Sequence, residues 1–276
     1  MRITGLELAD NRESVTLSFT IRDIANQFPY QVKGATGLDA DDIATVYYGA
    51  SSVGEKYHDL TLQKRVISLK LNLNPNAAIG SSYSKLRDDV YKLIAATRSG
   101  LITLRLLEDT ITKAQISGFI TKVESDLFSK NPDIGITIEC EYPLFRSPSD
   151  IYVQDQYLET FPDVVHDEHS TAPHCLTLFA QCLTDFPSFI MTDDNSEWSF
   201  NVSPLGGFFA GDILTVSNET NEKLLSITRG SSVIHLADAL QPNSVWPVIF
   251  PGDNVILCNA NVSWLGILYK ATYWGV

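Results

Sequence analysis

Between Arg65 and Asn74 the sequence reads RVISLKLNLN, and apolar and polar residues alternate without a break. Ile67, Leu69, Leu71 and Leu73 fall on one side of an extended chain, and Ser68, Lys70, Asn72 and Asn74 on the other. A period of two belongs to a pleated strand, whose successive side chains point to opposite faces, so the segment predicts a half-buried antiparallel strand. The same rhythm returns in LITLRLLED, QISGFITKVES and GITIECEYP. Residues 65–142 therefore supply about four strands.

One segment breaks that rhythm. In SSYSKLRDDVYKLIAATRSG, residues 81–100, the apolar Leu86, Val90, Leu93 and Ile94 recur at helical spacing. Ser84 is suited to cap the start, Asp88 and Asp89 lie early, Arg98 lies late and Gly100 can close the end. These features predict an amphipathic helix.

Residues 146–174 carry Pro148, Pro162 and Pro173 with a cluster of acids and no sustained period. A linker or arm over 148–172 is expected there, separating a domain of residues 1–147 from one of residues 173–276. Beyond it, CLTLFAQCL, GDILTVS, KLLSIT, SVIHLA, DNVILCNA and WLGILYKATYW follow one another with Gly, Asn, Asp or Pro turns between them. Short strands so spaced predict a β-sandwich or jelly roll. The sequence stops on Trp274-Gly275-Val276 within an apolar run, which is expected to be the last sandwich strand with Trp274 packed between the sheets. The Pro251-Gly252-Asp253-Asn254 turn is expected to fix strand register.

Charge narrows the function classes. The chain has 33 acidic and 20 basic residues, a formal net charge of -13. A surface of that sign repels phosphate and argues against specific nucleic-acid binding. No apolar stretch approaches the ~18 uncharged residues of a spanning helix, and MRITGLELADNRES is charged too early for a secretory leader. Neither membrane insertion nor classical export is expected, so the sequons at Asn201, Asn218 and Asn261 carry no weight. Cys140, Cys175, Cys182 and Cys258 are too scattered for a disulfide framework and read as reduced thiols, Cys140 sharing the parity of Ile134, Ile136 and Ile138.

Candidate chemistry is sparse. Ser82 and Lys85 form S-x-x-K, but neither S-D-N nor K-T-G accompanies them, and helix capping explains the serine. His166, Asp167, Glu168, His169 and His174 are a dense set of potential ligands, yet solvated linkers are often rich in such residues. Asp193, Asp194 and Glu197 lack the long alternation of a calcium loop. All four tryptophans, at 198, 246, 264 and 274, lie in the second half. Trp264 and Trp274 sit in apolar strands, whereas Trp198 and Trp246, beside turns, are the two candidates for stacking on a saccharide. No catalytic, cofactor or metal set emerges, and the chain does not read as an enzyme.

GDILTV at Gly211–Val216, with Gly211 and Asp212 opening a strand, is followed by SVWPVIFPGDNVI with Pro251, Gly252, Asp253 and Asn254, and by YKATYWGV with Trp274 and Gly275. In combination these resemble the distal tail (Dit) proteins of long-tailed bacteriophages. FPYQVKGATGL, KRVISLKLNLN, YSKLRDDVYKLI and IECEYPLFRSP fall in that family's order, so the resemblance spans the chain. The His-rich segment departs from the pattern. The resemblance implies a mainly β chain: a belt domain with a tail-tube-like split β-barrel and one helix, then a galectin-like β-sandwich. It also implies a homo-hexameric ring in the virion, assembled in the host cytoplasm, between the tail-tube protein and the tail-tip hub. A receptor-binding protein is a further implied partner, DNA would pass through the lumen, and no cofactor is implied. The alternative reading is a carbohydrate-binding sandwich that touches host-wall saccharide.

Overall fold

The computed structural model describes residues 3–10, 12, 16–21, 28–39, 45–46, 61–62, 64–77, 81–97, 100–125, 133–153, 163–194, 198–219, 222–259 and 262–275. Met1–Pro148 together with Tyr273–Val276 form one compact unit, and Ser149–Thr272 form a second.

The first unit runs through β1 (Gly5–Asp10), β2 (Thr16–Thr20), β3 (Tyr30–Thr36), the ribbon strands β4 (Thr45–Val46) and β5 (Thr61–Leu62), and β6 (Arg65–Leu73). The helix α1 (Tyr83–Thr97) follows, then β7 (Ile102–Glu108), β8 (Ile111–Ser125), β9 (Asp133–Cys140) and β10 (Phe145–Arg146). Seven strands in the order β8-β7-β1-β2-β3-β6-β9 close into a barrel through the pairing of β8 with β9. Neighbours are antiparallel except β2 and β3, which meet in parallel at Thr20 and Gln31. Closing a sheet requires strands to bend, and register shifts at Val32/Gly34, Leu106/Leu107 and Ile120/Lys122 supply the bends.

The long strand β8 pairs with β7 up to Gly118 and with β9 from Phe119. Gly118 sits at that switch because nothing larger fits: a Cβ there would lie 2.4 Å from the Glu139 carbonyl oxygen and 2.8 Å from Cys140 Sγ. Alternation places side chains as expected. Ile67, Leu69, Leu71 and Leu73 are buried together with Leu104, Leu106, Ile134, Ile136 and Ile138, while Ser68 and Lys70 are exposed. Helix α1 adds Leu86, Val90 and Leu93 to the same core. The helix begins two residues earlier than its capping pattern suggested: Ser82 Oγ, not Ser84, accepts the Lys85 amide at 3.2 Å.

The second unit contains β11 (Ile151–Val153), β12 (Asp163–Asp167), β13 (Leu176–Cys182), β14 (Phe189–Asp193), β15 (Ser199–Val202), β16 (Ile213–Glu219), β17 (Glu222–Arg229), β18 (Ser232–His235), β19 (Gly252–Cys258) and β20 (Val262–Tyr269). They form a six-stranded sheet, β11-β20-β13-β16-β17-β18, and a four-stranded sheet, β12-β19-β14-β15. Leu178, Ala180, Leu214 and Val216 from the first sheet share one apolar core with Met191, Phe200 and Ile256 from the second. That is the sandwich the turn spacing predicted.

Two expectations change. Within 148–172, the described residues include strands β11 and β12, and β12 pairs with β19 from Asp163↔Ile256 to Asp167↔Gly252. Acids, histidines and prolines hid this strand, since its inward parity carries the polar Asp167 beside Val165. The chain end also moves. Strand β21 (Thr272–Tyr273) adds to β10 in the barrel's sheet, and Tyr273 packs on the barrel core, so Trp274 does not lie between the sandwich sheets.

Candidate functional site

Gly211 has φ +89, a left-handed conformation natural to glycine, and it turns the chain so that Asp212 points inward. The Asp212 carboxylate accepts from Arg229 Nε at 2.8 Å and Nη2 at 2.7 Å, and from the Phe209 amide at 2.9 Å. The guanidinium lies over the Phe209 ring at 4.0 Å. The Arg229 hydrogen bonds, helped by the Phe209 amide, hold the Asp212 carboxyl below the usual carboxylate range against the opposing effect of burial. Arg229 is raised for the same reason.

The Pro-Gly-Asp-Asn turn opens β19, with Gly252 at φ +96. Its buried Asn254 is the fastener. Oδ1 accepts the Phe250 amide at 2.7 Å, and Nδ2 donates to the carbonyls of Phe250 at 2.7 Å, Gly252 at 3.0 Å and Val165 at 3.3 Å. Asn254 therefore fixes the register of β12 on β19 as well as its own turn.

The histidine cluster is divided by strand parity. His166 faces outward from β12, with Nδ1 against Asp253 and Nε2 3.2 Å from Glu168, and these carboxylates raise its pKa, the Asp253 hydrogen bond most. Asp167 faces inward, where its carboxylate lies 3.6 Å from His174 and accepts from the Tyr269 hydroxyl at 3.4 Å. Burial, with the Asp167 charge, pushes Tyr269 up to about 12. His169 is exposed. No group of three potential metal ligands forms among the described residues. Asp193 is buried and accepts the Trp198 amide at 2.9 Å, Asp194 donates its amide to Val255, and Glu197 lies outside the described residues.

Of the two tryptophans proposed for saccharide stacking, Trp198 is 3% exposed and its indole N–H donates to the Val248 carbonyl at 3.0 Å. It is a core residue, because both ring faces are covered. Trp246 is half-buried, tilted against Phe200 at 5.2 Å, with Lys223 Nζ 5.5 Å from its ring centroid. Cys140 is fully buried in the barrel core, and burial pushes its thiol up to about 12.

Arg65 is the residue that pattern reading passed over. It is fully buried at the head of β6. Nε donates to the Pro143 carbonyl at 2.6 Å, Nη1 to those of Gly37 at 2.8 Å and Asp39 at 3.1 Å, and Nη2 to that of Trp274. Its guanidinium carbon stands 4.8 Å from the Phe145 ring centroid. The signal was present, since Arg65 shares the inward parity of Ile67. At Asp212, Asn254 and Arg65 alike, polar groups are bound to fixed partners. Such sites brace turns and strands; they do not present reactive atoms.

These features define a mainly β protein with a closed seven-stranded barrel and a two-sheet sandwich, braced by buried polar side chains. Neither a family model nor a curated protein matches the sequence. Among solved structures, the Dit protein of phage SPP1, described as a paradigm of the hub adsorption apparatus in phages infecting Gram-positive bacteria, matches with TM-score 0.62 at 12% identity, over 97% of this chain and 98% of that one. A chain of the phage p2 baseplate in its activated conformation gives TM-score 0.41 at 10% identity, over 99% of each. The chain thus has the Dit-like fold across both units.

Proposed function

We propose that this protein is a structural component of a bacteriophage tail tip: a Dit-like homo-hexameric ring at the distal end of the tail tube. The observation that carries the reading is the whole-chain fold match to SPP1 Dit, which includes both units in order. In this reading the barrel unit is the belt that closes the ring and the sandwich is a galectin-like domain. The ring joins the tail-tube protein to the tip hub and receptor-binding machinery, and DNA passes through its lumen. The work is done by subunit interfaces, so neither cofactor nor catalytic group is required. The serine of the S-x-x-K pair, with its hydroxyl accepting a helix amide, fits this non-enzymatic role. The net charge of -13 favours a lumen that does not retain DNA.

Electron microscopy tests the proposal. Purified protein, alone or mixed with its tail-tube neighbour, is expected to give rings with a central hole, and a reconstructed tail tip is expected to place it on the axis. A tail tip carrying this protein off the axis overturns the reading.

A further inference from the structure

We infer that residues 273–275 are a strap that locks the barrel unit only after the chain of the second unit has been made. Arg65 is the lock. A guanidinium carries five N–H donors, and when it is buried each needs an acceptor, because a buried charged donor left unmet is far more costly than one left in water. Three of its acceptors, the carbonyls of Gly37, Asp39 and Pro143, precede the second unit in the chain. Another, the Trp274 carbonyl, follows it. The same strap adds β21 to β10 and packs Tyr273 against the barrel core. Strand β10 is two residues long, meets β8 at Arg146↔Gln115 and has β21 on its other edge.

During synthesis, every strand of the barrel and β10 itself are complete before any residue of the second unit exists. At typical rates the strap follows on the order of 10 s later. In that interval Arg65 Nη2 has not yet met the Trp274 carbonyl, and the 37–39 and 143–146 segments around the guanidinium are held less firmly. If the barrel is the ring-forming belt, a conclusion that rests on the proposed function, the strap restricts ring entry to chains that contain an intact second unit.

The test compares the full chain, a chain ending at Thr272, Arg65→Met and the combination of the two. Ending at Thr272 keeps the Thr272 hydroxyl bonds to Ala172 and Pro173 within the second unit. Hydrogen exchange is followed in peptides covering 34–39 and 140–146, with 176–182 of the second unit as internal control. Truncation is expected to speed exchange in the first two about 10- to 100-fold, the scale of one lost hydrogen bond to a buried charge, and to leave the control unchanged. In the Arg65→Met background, truncation is expected to add less than about threefold, because the donor that needs the strap is gone. A synthetic Ala271–Val276 peptide added in trans is expected to restore protection. Unchanged exchange at 140–146, or effects of Arg65→Met and truncation that simply add, overturns the lock. Should the truncated chain not fold, refolding with the peptide gives the same answer: recovery supports the lock and no recovery overturns it. Rings formed by a truncated chain with raised exchange overturn the restriction on ring entry and uphold the lock. Absence of rings from the full chain and from reconstructed tails overturns the proposed function and leaves the exchange result standing.

Discussion

Asp212 and Arg229 make two parallel N–H···O bonds, 2.8 and 2.7 Å long, from one turn and one strand of the sandwich. The carboxylate is buried and the guanidinium partly exposed. The Gly-Asp motif that opens β16 is therefore a brace, with the aspartate pulling the 209–212 turn onto β17.

Replacing Arg229 with Met is expected to destabilise the second unit, because the buried Asp212 carboxylate loses its cation, and by less than for a fully buried broken pair because solvent screens the guanidinium. The Asp212→Asn/Arg229→Met double variant is expected to be more stable than Arg229→Met alone. The pH dependence has a definite sign. A carboxyl whose folded pKa is depressed contributes stability above its unfolded pKa, and that contribution is lost as pH falls through the folded value. The difference between wild type and variant in urea melts should shrink below the ordinary carboxylate range and stay constant above it. A difference that grows in acid contradicts the assignment.

Asn254→Ala removes one acceptor and three donor contacts at a buried site. A loss of about 2–3 kcal/mol in chemical denaturation is expected. Asn254→Asp restores the acceptor for Phe250 but places a charge against three carbonyls, and should be no better. Exchange in β12 should rise in both variants, since β12 loses its Val165 tie.

Gly118 and Gly135 form a matched pair in the barrel. A Cβ at Gly118 meets backbone at 2.4 Å, whereas at Gly135 its nearest neighbour is Glu124 Cβ at 3.7 Å. Gly118→Val is expected to cost more than about 3 kcal/mol or to abolish folding, because backbone rather than a side chain must yield. Gly135→Ala is expected to change stability by less than about 1 kcal/mol. Equal melting temperatures for the two would refute the close-approach account of the β8 switch.

Trp198→Ala is expected to destabilise the sandwich by about 3–5 kcal/mol through cavity formation and the loss of the Val248 bond. Trp246→Ala, at a half-buried site, should cost less. On a glycan array neither substitution is expected to remove a signal, given the burial of Trp198. Specific saccharide binding lost in Trp246→Ala at full stability would revive the carbohydrate reading for that residue alone.

In the proposed ring, the channel is expected to be neutral or acidic on balance. A lumen lined with Lys and Arg would bind phosphates and slow DNA passage, and repulsion from acids acts over about 8 Å at physiological salt. A reconstruction with a basic lining would contradict this expectation.

The alternation from Arg65 to Cys140 sufficed to predict four barrel strands and their buried faces, because side-chain parity is a local property of extended backbone. Helix α1 was equally legible from the spacing of Leu86, Val90 and Leu93. Turn residues marked Gly211 and Asn254 as special, since left-handed φ and short amide side chains are local needs as well. Which edge a strand joins is not local. Val164 and Val165 lie among prolines and acids, and only pairing with β19 makes them a strand. Tyr273 follows the sandwich in sequence, yet the edge of β10 and the Arg65 guanidinium, which donates to the Trp274 carbonyl, hold this segment on the barrel. Trp198 sits beside a turn and is nonetheless core, because the Val248 carbonyl from a distant segment meets its indole. Sequence settled what each segment prefers to be, through periods of two and of 3.6 residues. Tertiary structure decided where each segment goes, because buried donors and strand edges must find acceptors wherever the folded chain provides them.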